Sequence, residues 1–458
     1  MSNVISVSCC LILSLRLKRI CSEQLSKGTN NDQSNKTWYC RIGNGRHWRS
    51  KNYPTKWEIL QARTGRKIEI VAVSAKTKNK NRGVDLSKYQ WESDPISLAK
   101  RKDIDIFVEL IGGHKGAAKD SIVAAVDTGK DIVTANKALL AHSGQELAEK
   151  TELKNKLLRF EAAVAGGIPV IKALTEGLAG NRLTRVVGVM NGTCNYILTR
   201  MQSSGLNYEE IFKEAEALGY LEADPTLDVG GIDAGHKLAL LASIGFGTRV
   251  NFDAVELEGI GQISIDDINH AADMGFRIKL LGVAQLNGDG LEQRMSPCLV
   301  PATSPLGQLE GGTNMVMLEG DHVGQIILSG PGAGEGPTAS AVMSDIIDIA
   351  RGVRLPTFGQ PANILKKIQP VKSNTHAPYY LRLSLSDKPG ALAKVASLLG
   401  DFGISIDRMR QYAHADDHAP VLIVTHATEP QSIEKALANL PKTGVVHDKP
   451  VALRIEPL

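Results

Sequence analysis

From Lys67 onward the chain alternates short apolar runs with helical stretches, and this alternation restricts the fold more than any other feature. Lys67-Ile-Glu-Ile-Val-Ala-Val73 reads as a strand and is followed by a basic polar loop through Arg82. Asp103-Ile-Asp-Ile-Phe-Val-Glu-Leu-Ile111 reads as a second strand, closed by Gly112-Gly113. A helical stretch from Ala117 to Ala125 leads to Asp131-Ile-Val-Thr134, then to Ala135-Asn136-Lys137 and a further helix. Strands separated by helices pair in parallel through crossovers, so the pattern predicts βαβ units on a parallel sheet.

Residues 158–330 continue with strands, longer helices and glycine turns. Gly330-Pro-Gly-Ala-Gly-Glu-Gly-Pro-Thr338 then opens a helix from about Ala339 to Ala350, and a Pro-containing connector runs from Arg354 to Pro378. The tail from Tyr379 is a separate small domain. Leu381-Arg-Leu-Ser-Leu-Ser386 alternates with the period of a half-buried strand. Leu392, Val395, Ala396 and Leu399 share one helix face, which Gly403 ends. Strands at 404–410, 420–427 and 451–455 and a helix at 431–440 complete βαββαβ, the ferredoxin-like order. The fold class is α/β: a Rossmann-like domain, an α+β domain and a ferredoxin-like tail.

The first 57 residues differ from the rest. They hold ten of the 53 Lys/Arg but two of the 49 Asp/Glu, so the remainder carries 43 basic and 47 acidic groups. The overall charge of +4 therefore argues for no nucleic-acid partner. The same segment holds four of six cysteines and three of four tryptophans. Only Cys194 and Cys298 follow, too few for a disulfide framework, which suits a reducing cytoplasm. No apolar run is long enough for a membrane span, and Val4 to Leu15 lacks the flanks of a signal peptide.

The chemistry-bearing text lies between residues 160 and 237. Phe160-Glu-Ala-Ala-Val-Ala-Gly-Gly-Ile-Pro169 sets one acid before small residues, where backbone can approach a ligand or simply turn tightly. Asn191-Gly-Thr-Cys-Asn-Tyr196 packs hydrogen-bonding groups into a glycine turn. Gly219-Tyr-Leu-Glu-Ala-Asp-Pro-Thr226, with Asp228, Asp233 and Lys237, gathers four carboxylates and a lysine within sixteen residues. Asp233 and Lys237, at i and i+4, share a helix face. Such a pair is usually a solvated ion pair. The neighbours Leu238-Ala-Leu-Leu-Ala242 are apolar, however, so this lysine either faces solvent or sits in a site that tunes it for proton transfer.

These strings, together with Val108-Glu-Leu-Ile-Gly-Gly113, Thr134-Ala-Asn-Lys-Ala-Leu-Leu140 and Gly332-Ala-Gly-Glu-Gly-Pro-Thr-Ala-Ser340, closely resemble homoserine dehydrogenase, in that family's order and spacing across residues 58–458. The tail resembles an ACT domain, an amino-acid-sensing module. The resemblance implies reversible NAD(P)H-dependent reduction of L-aspartate 4-semialdehyde to L-homoserine, in threonine, methionine and isoleucine biosynthesis. It implies Lys237 as the acid/base, with Asp233 beside it to hold its charge state. Glu222 would bind the substrate ammonium, Asp228 would line the same pocket, and Lys137 would contact both cofactor and substrate. Gly112, Gly332, Ala333 and Gly334 would meet the cofactor. Glu161, Val164, Gly166 and Ile168 would coordinate a monovalent cation such as sodium, the last three through backbone carbonyls. The domains follow: 58–155 binds NAD(P), 156–335 is catalytic and dimerising, 336–360 returns to the NAD(P) domain, 361–378 links, and 379–458 is regulatory. Threonine is the implied effector, and a homo-oligomer is implied because ACT modules usually pair across subunits.

One departure is large. A dinucleotide fold needs a first strand followed by G-x-G-x-x-G at a helix N-terminus. The text before Lys67 offers only Gly43-x-Gly45, among Arg, His and Trp. Residues 1–57 are therefore expected to be non-native or disordered, the first strand and glycine loop lost, and cofactor binding weak. On this basis the chain could be a catalytically impaired remnant keeping the oligomer core and the amino-acid-binding tail. A one-base frame shift explains the departure. Back-translated with free codon choice, Trp38 through Trp57 can then read G-I-A-G-L-G-T-V-G-T-G-V-V-K-I-I-Q-Q-N, and the Trp38-Tyr39 and Trp48-Arg49 junctions force glycines.

After the second strand, Ser74-Ala-Lys-Thr-Lys-Asn-Lys-Asn-Arg82 is basic, with no acid until Asp85 to meet ribose hydroxyls. That favours NADP, with NAD possible. Sequencing the gene across codons 31–57 is expected to show triplets that spell the glycine loop one base out of frame. Codons that cannot yield G-L-G-T-V-G in the shifted frame would exclude that origin.

Overall fold

In the computed structural model, residues 4–11, 56–78, 85–218, 225–412 and 417–458 are described. They form two compact units: residues 1–139, 146–167 and 334–357 in the first, and 140–145, 168–333 and 358–458 in the second.

Six strands build the first unit: β1 Val4–Leu11, β2 Lys67–Ser74, β3 Gln90–Glu92, β4 Ile106–Leu110, β5 Asp131–Thr134 and β6 Leu158–Arg159. All are parallel, in the order β3-β2-β1-β4-β5-β6. Strand order reverses between β1 and β4. In doubly wound sheets, ligands bind outside the carboxyl ends of the strands at such a switch point.

The expected loss of the first strand does not occur. Val4–Leu11 lies between β2 and β4, with Val7 opposite both Ile70 and Ile106. Its Val and Ile residues, spaced by small Ser and Cys, suit the centre of a parallel sheet. Val7 is buried in a cluster with Ile68, Ile106, Val133, Val342 and Ile346. Asp105 pins the strand: its carboxylate accepts from Ser6 N at 2.7 Å, and its own N–H donates to Ser6 O at 2.7 Å. Gly43 and Gly45 lie outside the described residues. The helix Glu335–Arg351 belongs to this unit, and it starts before Ala339 because Glu335 and Pro337 suit a first turn.

The second unit holds one large sheet. Its strands are β7 Leu183–Val189, β8 Glu256–Leu257, β9 Phe276–Asn287, β10 Gly290–Pro301, β11 Thr313–Gly320, β12 Gly324–Pro331, β13 Gln369–Pro370, β14 Tyr379–Ser386, β15 Ile406–Gln411, β16 His418–Thr425 and β17 Val451–Ile455. Along the main path the order is β12-β11-β7-β9-β10-β17-β14-β16-β15. The tail has the anticipated βαββαβ order, with helices Ala391–Asp401 and Pro430–Asn439 on a core of Leu381, Leu383, Val395, Leu399, Ile423 and Ile433. Its last strand also pairs in parallel with β10, Cys298 and Leu299 facing Arg454 and Ile455, so the tail extends the central sheet.

Two buried carboxylates fasten this junction. Glu456, 2% exposed, accepts from Arg294 at 2.6 Å, Arg185 at 2.5 Å and Arg454 at 3.1 Å. Asp267, fully buried, accepts from Arg382 at 2.6 Å and from the Tyr380 hydroxyl at 3.2 Å. Burial pushes the Glu456 carboxyl up, but the guanidiniums of Arg294, Arg454 and Arg185 outweigh it and hold the group below the usual glutamate range. Its contribution to stability is thus complete above the unfolded-state value and is lost as pH falls through the lower folded value. We expect Glu456→Gln to cost about 3–5 kcal/mol in denaturant unfolding near neutral pH, because the buried Arg294 and Arg454 and the half-buried Arg185 lose a shared counter-charge. The gap from the unsubstituted chain should narrow on acidification below the ordinary glutamate range; a pH-independent gap would contradict this.

Candidate functional site

At the carboxyl ends of β4 and β5, Glu109 is fully buried in a strand otherwise made of apolar residues. One oxygen accepts from Ile111 N at 2.6 Å and Gly112 N at 3.2 Å, and the other from the Thr134 hydroxyl at 2.5 Å. Asn136 joins the arrangement. Its side-chain amide donates to Gly113 O at 2.7 Å, and its oxygen caps the helix Lys137–Leu153 by accepting from Leu139 N at 3.0 Å. Gly112 and Gly113 have φ of 87° and 76°, a left-handed run open to glycine. One carboxylate therefore ties together the loops after β4 and β5 and the helix start that carries Lys137. Burial pushes its pKa up, against the opposing pull of Thr134, Ile111, Gly112 and, more distantly at 3.5 Å, the Asn136 amide. Ser74, at the end of β2, has a buried hydroxyl with no hydrogen-bond partner among the described residues. A free polar group beside Lys76 and Lys78, together with the Gly112-Gly113 loop after β4, fits a dinucleotide.

In the second unit, Lys237 lies on the helix Ile232–Phe246, whose residues from Ala234 to Ile244 are all buried. The lysine does not face solvent: it is 8% exposed. Its ammonium donates to Asp233 Oδ2 at 2.7 Å and to Met190 O at 2.7 Å. An ammonium has three protons, so one remains for a reacting oxygen. Met190 follows β7 and precedes the helix Gly192–Ser204. Asn191 caps that helix by accepting from Cys194 N at 2.8 Å, and its amide donates to Asp228 Oδ1 at 3.0 Å. Asp228 sits in the helical turn Thr226–Val229 and is 7% exposed. Burial, then the nearby Asp228 and Asp233 charges, push the Cys194 thiol well up, against the pull of Lys237, so it stays protonated rather than nucleophilic. Glu222 lies outside the described residues.

Glu161 opens a 3-10 turn and is 2% exposed; its N–H donates to Asp345 Oδ2 at 2.8 Å. Ala165 and Gly166 take φ of 54° and 51°. Among the described residues no donor reaches the carbonyls of Val164 and Gly166, whereas Ile168 O accepts from Val170 N at 2.8 Å. Gly332 leaves no room for a side chain, since a Cβ would lie 2.1 Å from the Asn314 side chain. Ala333 follows, and Gly334, φ 119°, precedes the helix Glu335–Arg351.

The structure thus joins Lys237 with Asp233, and Asp228 with Asn191. Sequence reasoning missed the linking roles of Glu109, the Met190 carbonyl and Asn191. An asparagine immediately before a helix is a capping signal and could have placed Asn191. A lone acid inside an apolar strand could have drawn attention to Glu109.

Family models agree with this layout. "Homoserine dehydrogenase" matches residues 169–347, "Homoserine dehydrogenase, NAD binding domain" matches 55–161, and "ACT domain" matches 379–442. A homoserine dehydrogenase of Neisseria gonorrhoeae is 42% identical over 409 residues, covering 88% of this chain and 94% of that protein. One from Pseudomonas aeruginosa is 41% identical over 88% of this chain and 94% of its own length. The chain belongs to the homoserine dehydrogenase family. The crystal structure of a homoserine dehydrogenase from Thiobacillus denitrificans has 34% identity and a TM-score of 0.86, covering 99% of this chain and 98% of the other. A hyperthermophilic archaeal homoserine dehydrogenase in complex with NADPH, 22% identical with a TM-score of 0.58 over 77% of this chain and 99% of its own, shares the fold. Homoserine dehydrogenases are NAD(P)-dependent oxidoreductases, so this chain carries a nicotinamide-cofactor domain, a catalytic domain and an amino-acid-binding ACT domain. The alternative of an impaired remnant gains no support from these matches. Among the described residues no helix is long and apolar enough to cross a membrane.

Glu109→Ala leaves three donors of the crevice without their acceptor, at about 1–3 kcal/mol each where they stay buried. We expect it to weaken NADPH binding, followed by nicotinamide fluorescence, at least about tenfold. Glu109→Gln keeps an acceptor for Ile111 and Gly112 and should stay within about threefold of the parent. Equal affinity in all three forms would remove Glu109 from the shaping of this crevice.

Proposed function

We propose that this chain reduces L-aspartate 4-semialdehyde reversibly to L-homoserine, with Lys237 as its acid/base. The observation that carries the reading is the fixing of Lys237 Nζ, at 2.7 Å each, by Met190 O and Asp233 Oδ2 on a buried helix. As an ammonium, Lys237 has one proton left to give to an oxygen gaining negative charge during reduction. As an amine, its two remaining protons satisfy the same acceptors, and its lone pair turns to the homoserine hydroxyl. Two fixed acceptors thus aim the proton transfer in both directions. Asp233 gives the buried ammonium a counter-charge at 2.7 Å.

Glu222 would bind the substrate ammonium, Asp228 would line the same pocket, and Lys137, first residue of its helix, would contact substrate and cofactor. NADP would supply or accept the hydride when bound. Gly112, Gly332, Ala333 and Gly334 would hold it, and the free Ser74 hydroxyl with Lys76 and Lys78 supports NADP over NAD. Glu161, with the carbonyls of Val164, Gly166 and Ile168, would hold a monovalent cation such as sodium. Threonine, the family-implied end product, would act at the ACT domain of a homo-oligomer, and the scarcity of cysteines after residue 57 supports a cytoplasmic setting. The NAD-binding match begins at residue 55, which supports reading the text before it as the out-of-frame glycine turn.

Spectrophotometric assay of homoserine oxidation tests the reading. We expect turnover with NADP above that with NAD, inhibition by threonine, and loss of kcat by about 10²-fold or more in Lys237→Met. Homoserine oxidation by Lys237→Met at the parental rate would overturn the assignment.

A further inference from the structure

The Asn191-Gly-Thr-Cys-Asn-Tyr196 string has no part in the reaction as set out above, yet it touches both halves of the site. Asn191 is 3% exposed and makes two hydrogen bonds of opposite sense. Its side-chain oxygen accepts from Cys194 N at 2.8 Å and so caps the helix Gly192–Ser204. Its amide donates to Asp228 Oδ1 at 3.0 Å. Asn191 is also the residue that follows Met190, whose carbonyl holds Lys237 at 2.7 Å. The cap fixes the peptide carrying that carbonyl, and the amide fixes the carboxylate.

The surroundings make this residue hard to displace. Gly192 packs so closely that a Cβ would lie 2.6 Å from Gly312 O. One turn on, Asn195 donates to Gly311 O at 2.8 Å and accepts from Lys279 at 2.9 Å. Lys279 is itself buried, which pushes its pKa down to about 8. The helix start is therefore held from beneath by Lys279 and from the side by the loop ending at Gly312. Asp228 is fixed a second way, since its own carbonyl accepts from Cys194 Sγ at 3.3 Å. The string is a bracket with Asn191 at its working end.

We infer that Asn191 is a positioning residue: it sets the orientation and charge state of Asp228 while its peptide presents the Met190 carbonyl to Lys237. The inference rests on the reading of Asp228 as a substrate-binding group. A donor to a carboxylate favours the charged form, so removing it raises the carboxyl pKa.

Asn191→Ser retains a hydroxyl that can cap the helix but loses the reach to Asp228. It should raise KM for homoserine at least about tenfold, leave kcat within about twofold, and move the acidic limb of the 1/KM–pH profile to higher pH. Asn191→Ala loses both bonds, so kcat should fall as well; the serine variant thereby rescues kcat but not KM. Thermal melts accompany both variants. Serine and alanine variants with the same kcat and KM, or a serine variant with parental KM and acidic limb, would overturn the inference. Asp228→Asn separates the two readings. If it leaves KM and the acidic limb unmoved, the role given to Asp228 fails. If it alters them while Asn191→Ser does not, the role given to Asn191 fails.

Discussion

An ammonium on a helix buried from Ala234 to Ile244 is tolerable only with partners supplied inside the protein, and much of the second unit follows from that constraint. Asp233 supplies the charge one turn earlier on the same helix. The second acceptor must come from outside the helix, and it is the Met190 carbonyl. To bring that carbonyl within 2.7 Å, β7 and β9 must lie close beneath the helix. β9 does so through a glycine: a Cβ on Gly282 would lie 3.4 Å from Leu238 on the helix, while Gly188 of β7 admits its sheet neighbour β11, where a Cβ would lie 2.4 Å from Met315 O.

The same sheet also carries the ACT domain. β17 pairs with β10, and Glu456 beyond it gathers Arg185 from β7, Arg294 from β10 and Arg454 from its own strand. Buried ion pairs contribute little net stability relative to apolar packing, but breaking one leaves charges stranded. Their effect here is to define a single docking arrangement. Arg185 belongs to the strand that leads to Met190, so the tail is fastened to the element that supports the Lys237 acceptor.

The parts legible in the sequence were those with a period. Alternating strands and helices gave the parallel sheet, and strict alternation at Leu381–Ser386 marked the ferredoxin-like tail before its pairing was visible. The i,i+4 spacing of Asp233 and Lys237 put them on one face, and the apolar neighbours of Lys237 left two outcomes, of which burial is the one observed. The contributions without periodicity stayed hidden. A backbone carbonyl leaves no residue signature, and Asn191 meets Asp228 across 37 positions of sequence. The pairing of β17 with β10 depends on two domains meeting, which no local pattern encodes. Fastening residues such as Asp267 and Glu456 look, in the text, like ordinary surface acids.

The N-terminal segment shows why a strand and a turn differ in what they demand. A central position in a parallel sheet asks for extended backbone, and Val4–Leu11 supplies it, with Asp105 bonded to Ser6 and Val7 buried in the core. Many sequences can do that, so one that carries no family resemblance can still fill the slot. A pyrophosphate turn asks for something narrower: glycine at defined offsets, so that N–H groups converge on phosphate oxygens without a side chain between them. Filling the strand position therefore does not bring the turn with it. The sheet order and the Glu109-held loops place the crevice where a dinucleotide fold requires it, while the residues that would close it over phosphate must meet a chemical condition that strand propensity alone cannot supply.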